Sequence, residues 1–366
     1  MSAIALWVLI GALVVLFLYQ ALIFSRLAFL RPKVEPDRDT PVSVVICARN
    51  AMQDLEELVP LLMDQDHGEF EVVVVNDRSD DDTWELLQWL KLEHPRLKPV
   101  DLQADEKFSY GKKMALGVGI RSAKHPHILL TDADCRPAGR DWISTMAAGF
   151  HNGKELVVAH SPYDHRPGLT NLLERYDGLA KAVQYLAFAK AGLPYMGVGR
   201  NLGYTKAVFA NAKGQLRHRH LMSGDDDLFV NEVARRGNTA VVVDPRSFMT
   251  TRATEGLLTW VRRRRRHFTT ASHYRFGHQV LLFLLPLARV AFWVAIVALF
   301  LLGRPQEAWI GLGVKVLLFQ PITMLAMNNL LGGTLIWWSL PLEAVFLLLD
   351  PAIYFSTLIS KPRRWK

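Results

Sequence analysis

Three acidic clusters and one basic run hold the residues of this chain whose types and spacing could do chemistry. Asn76-Asp77 follows the apolar run EVVVV, and Asp132-Ala133-Asp134 follows HILLT. Carboxylates two residues apart at the end of a strand can hold a hard divalent cation, Mg2+ or Mn2+. A metal with Asp and diphosphate ligands is a common way to bind a nucleotide-sugar and stabilise its leaving group. The competing reading is turn chemistry, since Asp and Asn favour turns in any protein. The third cluster, Asp225-Asp226-Asp227, follows Ser223-Gly224 and precedes the helical pattern LFVNEVARRG. Successive carboxylates repel one another unless a cation or hydrogen-bond donors hold them, and crowding raises a pKa towards that of a general base. An acidic helix start with Asp as N-cap is the alternative.

The basic run is WVRRRRRHF, residues 260–268, shortly ahead of a long apolar region. Beside a membrane such a run attracts anionic headgroups. A helix, however, turns successive residues in all directions, so some of the arginines face the protein, where a guanidinium fork suits a diphosphate. Arg263 and Arg266 lie three apart on one face, whereas Arg264 and Arg265 point elsewhere and are expected to tolerate Lys. The formal net charge of +8 does not imply a nucleic-acid partner, because it clusters beside apolar stretches with no aromatic-studded binding motif.

These residues need a scaffold, and residues 40–278 supply the pattern of one. Short β-rich runs alternate with helical ones: VSVVICA, a helix over 55–63, EVVVVND, a helix over 83–93, a strand over 98–102, a helix over 112–122, HILLTDAD, a helix over 142–150, and ELVVAHSPY. Strand alternating with helix predicts an α/β domain with a mostly parallel sheet and helices on its faces. Such sheets bind ligands beyond the carboxyl ends of their strands, where both Asp77 and the Asp132/Asp134 pair fall. The two cysteines, Cys47 and Cys135, are too few for a disulfide framework, and without a CxxC pair a zinc ribbon is excluded.

The apolar half of the composition is concentrated at both ends. Residues 4–24 are almost uninterrupted Leu, Val, Ile, Ala and Phe, the length one helix needs to cross a bilayer. Arg26, Arg31 and Lys33 follow it and no basic residue precedes it, so the positive-inside rule expects the following domain in the cytoplasm, which in a bacterium means a protein of the inner membrane. Three more apolar stretches, 280–302, 308–327 and 334–359, come later. If all three span, the closing KPRRWK lands outside, against the same rule; the middle stretch, with Lys315, Gln320 and Pro321, is the weakest candidate. The expected division is a transmembrane helix over 1–25, a linker over 26–39, the α/β domain over 40–278 and a membrane region of two or three spans over 279–366.

Taken in order, VSVVICARN, VVVVNDRSDDDT, GKKMALGVGI, LLTDADCRP, GVGRNLGYTKAVF, SGDDDLFVNEVARRG and RRRRRHF resemble the family-2 inverting glycosyltransferases of GT-A fold, especially membrane-embedded members similar to cellulose and hyaluronan synthases. The likeness covers about residues 40 to 270. It implies that Asp77 contacts the uracil and ribose of a UDP-sugar, that Ala48, Arg49 and Asn50 line the nucleotide, and that Lys112 lies near it. Asp132 and Asp134 look like the DxD motif, the second carboxylate ligating the metal on the diphosphate. GDDDLFVNE is similar to a run that puts the catalytic base on Asp226, while a more general family pattern would choose Asp225. Arg263 and Arg266 match a diphosphate-holding motif, with His267 where the synthases carry Trp, so processive polymerisation does not follow from the resemblance. Gly199, Arg200, Asn201 and Tyr204 resemble an acceptor-side segment, with 199–203 as a loop. The implied partners are a nucleotide-sugar donor, a glycan or lipid acceptor and membrane lipids. A membrane nucleotidyltransferase would also need paired carboxylates and a cation, but would not need a base cluster so far beyond the DAD motif. A non-enzymatic basic scaffold or transporter leaves the acidic clusters unexplained.

Overall fold

The computed structural model describes residues 1–31, 33–103, 111–212, 224 and 226–359. The chain starts with one long helix, α1 (Ser2–Ala28), which continues past residue 25 through a π-helical turn. An α/β unit follows: β1 (Val42–Ala48), α2 (Met52–Met63), β2 (Phe70–Asp77), α3 (Thr83–Glu93), β3 (Leu97–Leu102), α4 (Lys112–Ser122), β4 (His127–Leu130), β5 (Cys135–Pro137), α5 (Trp142–Ala147), β6 (Leu156–Ala159), α6 (Leu169–Lys190), β7 (Leu202–Thr205), α7 (Lys206–Asn211), α8 (Asp227–Val233), β8 (Thr239–Val242), β9 (Met249–Thr251) and α9 (Leu257–Phe268). Three helices close the described chain, α10 (Phe276–Leu301), α11 (Pro305–Asn328) and α12 (Ser339–Ile359). With α1 they make four helices long and apolar enough to cross a membrane.

Seven strands form the main sheet in the order β3-β2-β1-β4-β7-β6-β8. The first four are mutually parallel, and β1, β2 and β4 carry near-continuous apolar sequence because both of their faces are covered, whereas the edge strand β3 is largely half-buried. The direction reverses at β7, which pairs antiparallel with both β4 and β6. This departs from the expected loop over 199–203: Gly203 lies inside β7, pairing with Leu129 and Val157. Register places Ala48 opposite Asn76 and Asn76 opposite Asp101, so β1, β2 and β3 end at one common edge. A two-stranded ribbon, β5 with β9, ties the chain just after Asp134 to the segment that leads into α9.

Alternation along β1 splits the core. Val42, Val44 and Ile46 pack with α2 and α5, whereas Val45 faces α4. Gly119 of α4 lets that helix lie flush on the sheet, since a Cβ there would stand 2.6 Å from a Val45 methyl. The core on the α4 side runs without a break through Leu179, Leu186 and Phe188 of α6 to Leu16 and Ile23 of α1 and Leu285 and Phe292 of α10. Asn329 donates to the carbonyls of Leu27, Ala28 and Leu30, satisfying acceptors that the end of α1 would otherwise leave open.

Candidate active site

At the common edge of β1 and β2, two non-glycine residues adopt the left-handed conformation, Asn50 and Arg78, each just after its strand. Such conformations persist only where surrounding contacts over-determine them. Here the Asn50 amide donates to Ser79 Oγ at 2.9 Å, Asn50 Oδ1 accepts from the Asp80 amide at 2.8 Å, and the Ala51 amide donates to Thr83 Oγ1 at 3.0 Å. The two loops are thereby locked together, with Ala48 buried beneath them and Arg49 and Asn50 exposed. Asp77 is 2% exposed; one oxygen accepts from Arg78 Nε at 2.9 Å and Oδ2 has no hydrogen-bond partner. Beside it a cavity of about 500 Å3 is lined by Asn76, Arg78, Trp84, Asp101 and Gln103, among others. That volume suits a small-molecule ligand.

Asp132 and Asp134 follow β4. Lys112, in the first turn of α4, reaches Asp132 at 2.8 Å. Burial pushes the Asp132 pKa up, but Lys112, Arg200 and Arg263 outweigh it and leave the carboxyl below its ordinary value. The Asp134 pKa is raised, by burial and then by the neighbouring Asp132. Among the described residues no group of three or more His, Cys, Asp or Glu could form a metal cage. A cation here would therefore rest on one or two carboxylates and fill its shell from a phosphate ligand and water, which is how Mg2+ is usually held.

Arg200 stands over the ring of Tyr163, with its Cζ 4.5 Å from the centroid. Its Nη1 is buried without a hydrogen-bond partner, and Asp132 and Asp134 help to hold its charge against the cost of burial. Arg263 of α9 approaches the same ring at 5.6 Å and pairs with Glu174 of α6 at 2.9 Å. Two guanidinium groups and a lysine thus converge on the DAD carboxylates. Arg200, an acceptor-side residue by resemblance, faces the carboxylates instead.

Asp226 Oδ2 accepts from the Gly199 amide at 2.9 Å, which brings the third cluster to the loop that carries Arg200. Gly199 is required by close approach, because a Cβ would sit 2.2 Å from that oxygen. Asp227 is occupied structurally, accepting from Thr270 Oγ1 at 2.6 Å and Tyr274 OH at 2.7 Å. Asp225 lies outside the described residues.

Two acceptor-side expectations are corrected. Asn201 is fully buried, accepting from Trp142 Nε1 and donating to the carbonyls of His160 and Ser247. It pins the 199–201 turn from below and has no surface to offer an acceptor. Tyr204 is 1% exposed in β7, stacked on Phe209. Arg264 does point away from the cleft, but it is no solvated spare: it is 3% exposed, pairs with Asp177 and Asp350, and lies over the Phe346 ring at 5.0 Å. Arg266 sits on the next turn of α9, and His267 is exposed within electrostatic reach of Arg200 and Arg263. Tyr163 and Glu174 were not foreseen. The available signal was a polar residue on the apolar stripe of a helix, Glu174 between Leu173 and Tyr176.

Comparison with known proteins gives a consistent picture. Residues 43–211 match the family model "Glycosyl transferase family 2". A poly-beta-1,6-N-acetyl-D-glucosamine synthase of Staphylococcus epidermidis is 28% identical over 111 residues, 30% of this chain and 25% of that protein. An uncharacterized glycosyltransferase of Haemophilus influenzae is 29% identical over 122 residues, 33% of this chain and 36% of that protein. The chain thus spans only about a quarter to a third of the length of these two relatives. A mannosyltransferase from Pyrobaculum calidifontis, solved in complex with GDP-Man and Mn2+, superposes with a TM-score of 0.56 at 20% identity over 95% of this chain and 99% of the other, a likeness of fold.

Proposed function

We propose that this chain, whose residues 43–211 match the family-2 glycosyltransferase model, is a membrane-bound inverting glycosyltransferase. It moves a sugar from a nucleoside diphosphate, UDP by resemblance, to a hydroxyl of a glycan or lipid-linked acceptor, on the cytoplasmic side of the membrane. The observation that carries this reading is the Asp226–Gly199 contact, which sets a carboxylate next to the loop whose following residue, Arg200, faces Asp132 and Asp134. A base and a leaving-group site are then neighbours.

In this reading the buried Asp77, with one oxygen uncommitted, accepts from the nucleoside, and the loop at Ala48, Arg49 and Asn50 borders it. Lys112, Arg200 and Arg263 bind the diphosphate, and Arg266 and His267 extend that surface. Asp134, with Asp132, would hold a divalent cation, which offsets charge on the departing diphosphate when bound. Asp226 takes the proton from the acceptor hydroxyl while that oxygen attacks the anomeric carbon on the face opposite the diphosphate. One bond forms, the glycosidic bond to the diphosphate breaks, and the configuration inverts. A positioned base typically contributes about 10²–10⁴ in rate. Asp225 is held in reserve for the same role.

The test is release of free nucleoside diphosphate from a panel of UDP- and GDP-sugars by the purified full chain in detergent with Mn2+ or Mg2+. We expect turnover of one or a few donors and its loss in Asp134→Ala with folding retained. Pyrophosphate formation from a nucleoside triphosphate and a sugar phosphate, with every nucleotide-sugar inert, would replace this reading with nucleotidyl transfer.

A further inference from the structure

We propose that α12 does not cross the bilayer. It lies in the membrane plane on the side of the catalytic domain, its polar face on protein and its apolar face among lipid acyl chains, so that only α1, α10 and α11 span.

A 21-residue helix is long enough to carry its two ends from one interface to the other. In this chain both ends touch the same domain. Tyr176 OH of α6 donates to the Ser339 carbonyl at 3.1 Å, and Arg265 of α9 donates to the Ser356 carbonyl at 3.0 Å. Between them Phe346 meets Tyr176 and Trp260, Asp350 meets Arg264 at 2.8 Å, and Tyr354 meets Phe268. The contacts climb α9 and α12 in the same direction, so the two helices run side by side. The first turns of α12 reach the spans, through Ser339 with Gln320 and Glu343 with Lys315 and Arg289. Because α9 also carries Arg263 of the cleft, a partner along its length remains at the domain.

The faces of α12 agree. Ser339, Leu342, Phe346, Ile353 and Thr357 are buried, while Val345, Leu348, Phe355, Leu358 and Ile359 are exposed on the opposite side. A helix with its polar groups turned inward and a bare apolar stripe outward requires a covering of lipid if it lies at the membrane. The tryptophans give its depth. Trp7 and Trp309 are exposed near the distal ends of α1 and α11, and Trp337 and Trp338 are exposed just ahead of α12. Since Trp gathers at both headgroup levels, these pairs mark the two interfaces, and α12 begins at the domain's own. With three crossings, the basic sequence after residue 359 stays on the side of Arg26, Arg31 and Lys33, as the positive-inside rule requires.

Two measurements on the full chain test this, in a Cys47→Ala/Cys135→Ala background. Nitroxides at Leu348→Cys and Leu358→Cys, both lipid-facing in the proposal, are read for depth in phosphatidylcholine/phosphatidylglycerol liposomes by collision with oxygen and a water-soluble nickel complex. Equal depths near the headgroup boundary are expected; a difference of about 15 Å, ten residues of a crossing helix, overturns the proposal. Labels shielded from both colliders would mean that protein, not lipid, covers the stripe, and would equally overturn it. In intact cells a membrane-impermeant maleimide should label Gly303→Cys but reach Ile359→Cys only after permeabilisation. Labelling of both from outside returns the helix to a fourth crossing.

Discussion

Arg200 is the residue on which the candidate site turns, because it brings a guanidinium with an uncommitted buried donor to two carboxylates. An anionic ligand would complete it. Arg200→Lys keeps the charge and loses the fork, so donor KM should rise by about tenfold or more in initial-rate assays; an unchanged KM would remove Arg200 from the diphosphate site. Asp226→Asn still accepts from the Gly199 amide but no longer takes a proton. Turnover should fall at least about a hundredfold while donor affinity, read by nucleotide titration, stays near that of the parent. His160 links the fold under the site to pH. Its ring is buried against Phe248, and burial pulls its pKa down to about 3. Below the ordinary histidine pKa of about 6.5 the unfolded chain binds a proton that the native chain refuses, so stability falls as pH drops through that range, by about 1.4 kcal/mol per unit for this group. Melting temperatures between pH 7.5 and 5 should show this slope, and His160→Phe should flatten it. The first two acidic clusters were legible because each ends an apolar run. The placement of Arg200 was not, since nothing local to GVGRNLGY shows that its turn folds back beside the end of β4.

At the scale of elements, the strand-helix alternation gave β1 to β3, α3 and α4 to within a residue, because each is a local pattern bounded by polar turns, while α2 begins three residues before its expected start and β4 ends at Leu130, ahead of the TDAD included with it. The antiparallel β7 escaped, since LGYT is short and its pairing with β4 and β6 is set by partners far off in sequence. Its turn has a strict packing requirement. A methyl at Gly199 would overlap the Asp226 carboxylate, so Gly199→Ala should shift the base. A misplacement of about 1 Å can cost about a hundredfold, and kcat should drop with much less change in KM or melting temperature. Helix α9 separates two duties in adjacent residues, Arg263 to the cleft and Arg264 to α6 and α12. Arg264→Lys should therefore lower stability by about 1–3 kcal/mol, seen as a fall in melting temperature, even though the residue touches no substrate. Periodicity correctly turned Arg264 away from Arg263, but could not show that the other side of the helix is also occupied.

For the whole molecule, the decisive feature is that one core continues from the sheet through α6 into the membrane bundle. The apolar stretches were legible as such from length and composition. Which of them crosses was not, because the in-plane course proposed for α12 rests on its contacts with α9, far apart in sequence. What keeps α12 on the bundle is an ionic group in an otherwise apolar setting: Lys315 pairs with Glu343 at 2.8 Å, and Arg289 lies 3.9 Å from the same carboxylate. Breaking a buried pair costs more than the pair contributes, because the remaining charge is left without compensation. Glu343→Gln should thus destabilise the chain by about 3–5 kcal/mol, since it leaves two cations facing one another. Adding Lys315→Met removes one of those cations and should restore most of the loss. Thermal unfolding of the two single variants and the double variant in detergent gives the coupling directly. Strictly additive losses would mean that Glu343 is not held by Lys315, and that other contacts of α12 keep it in place.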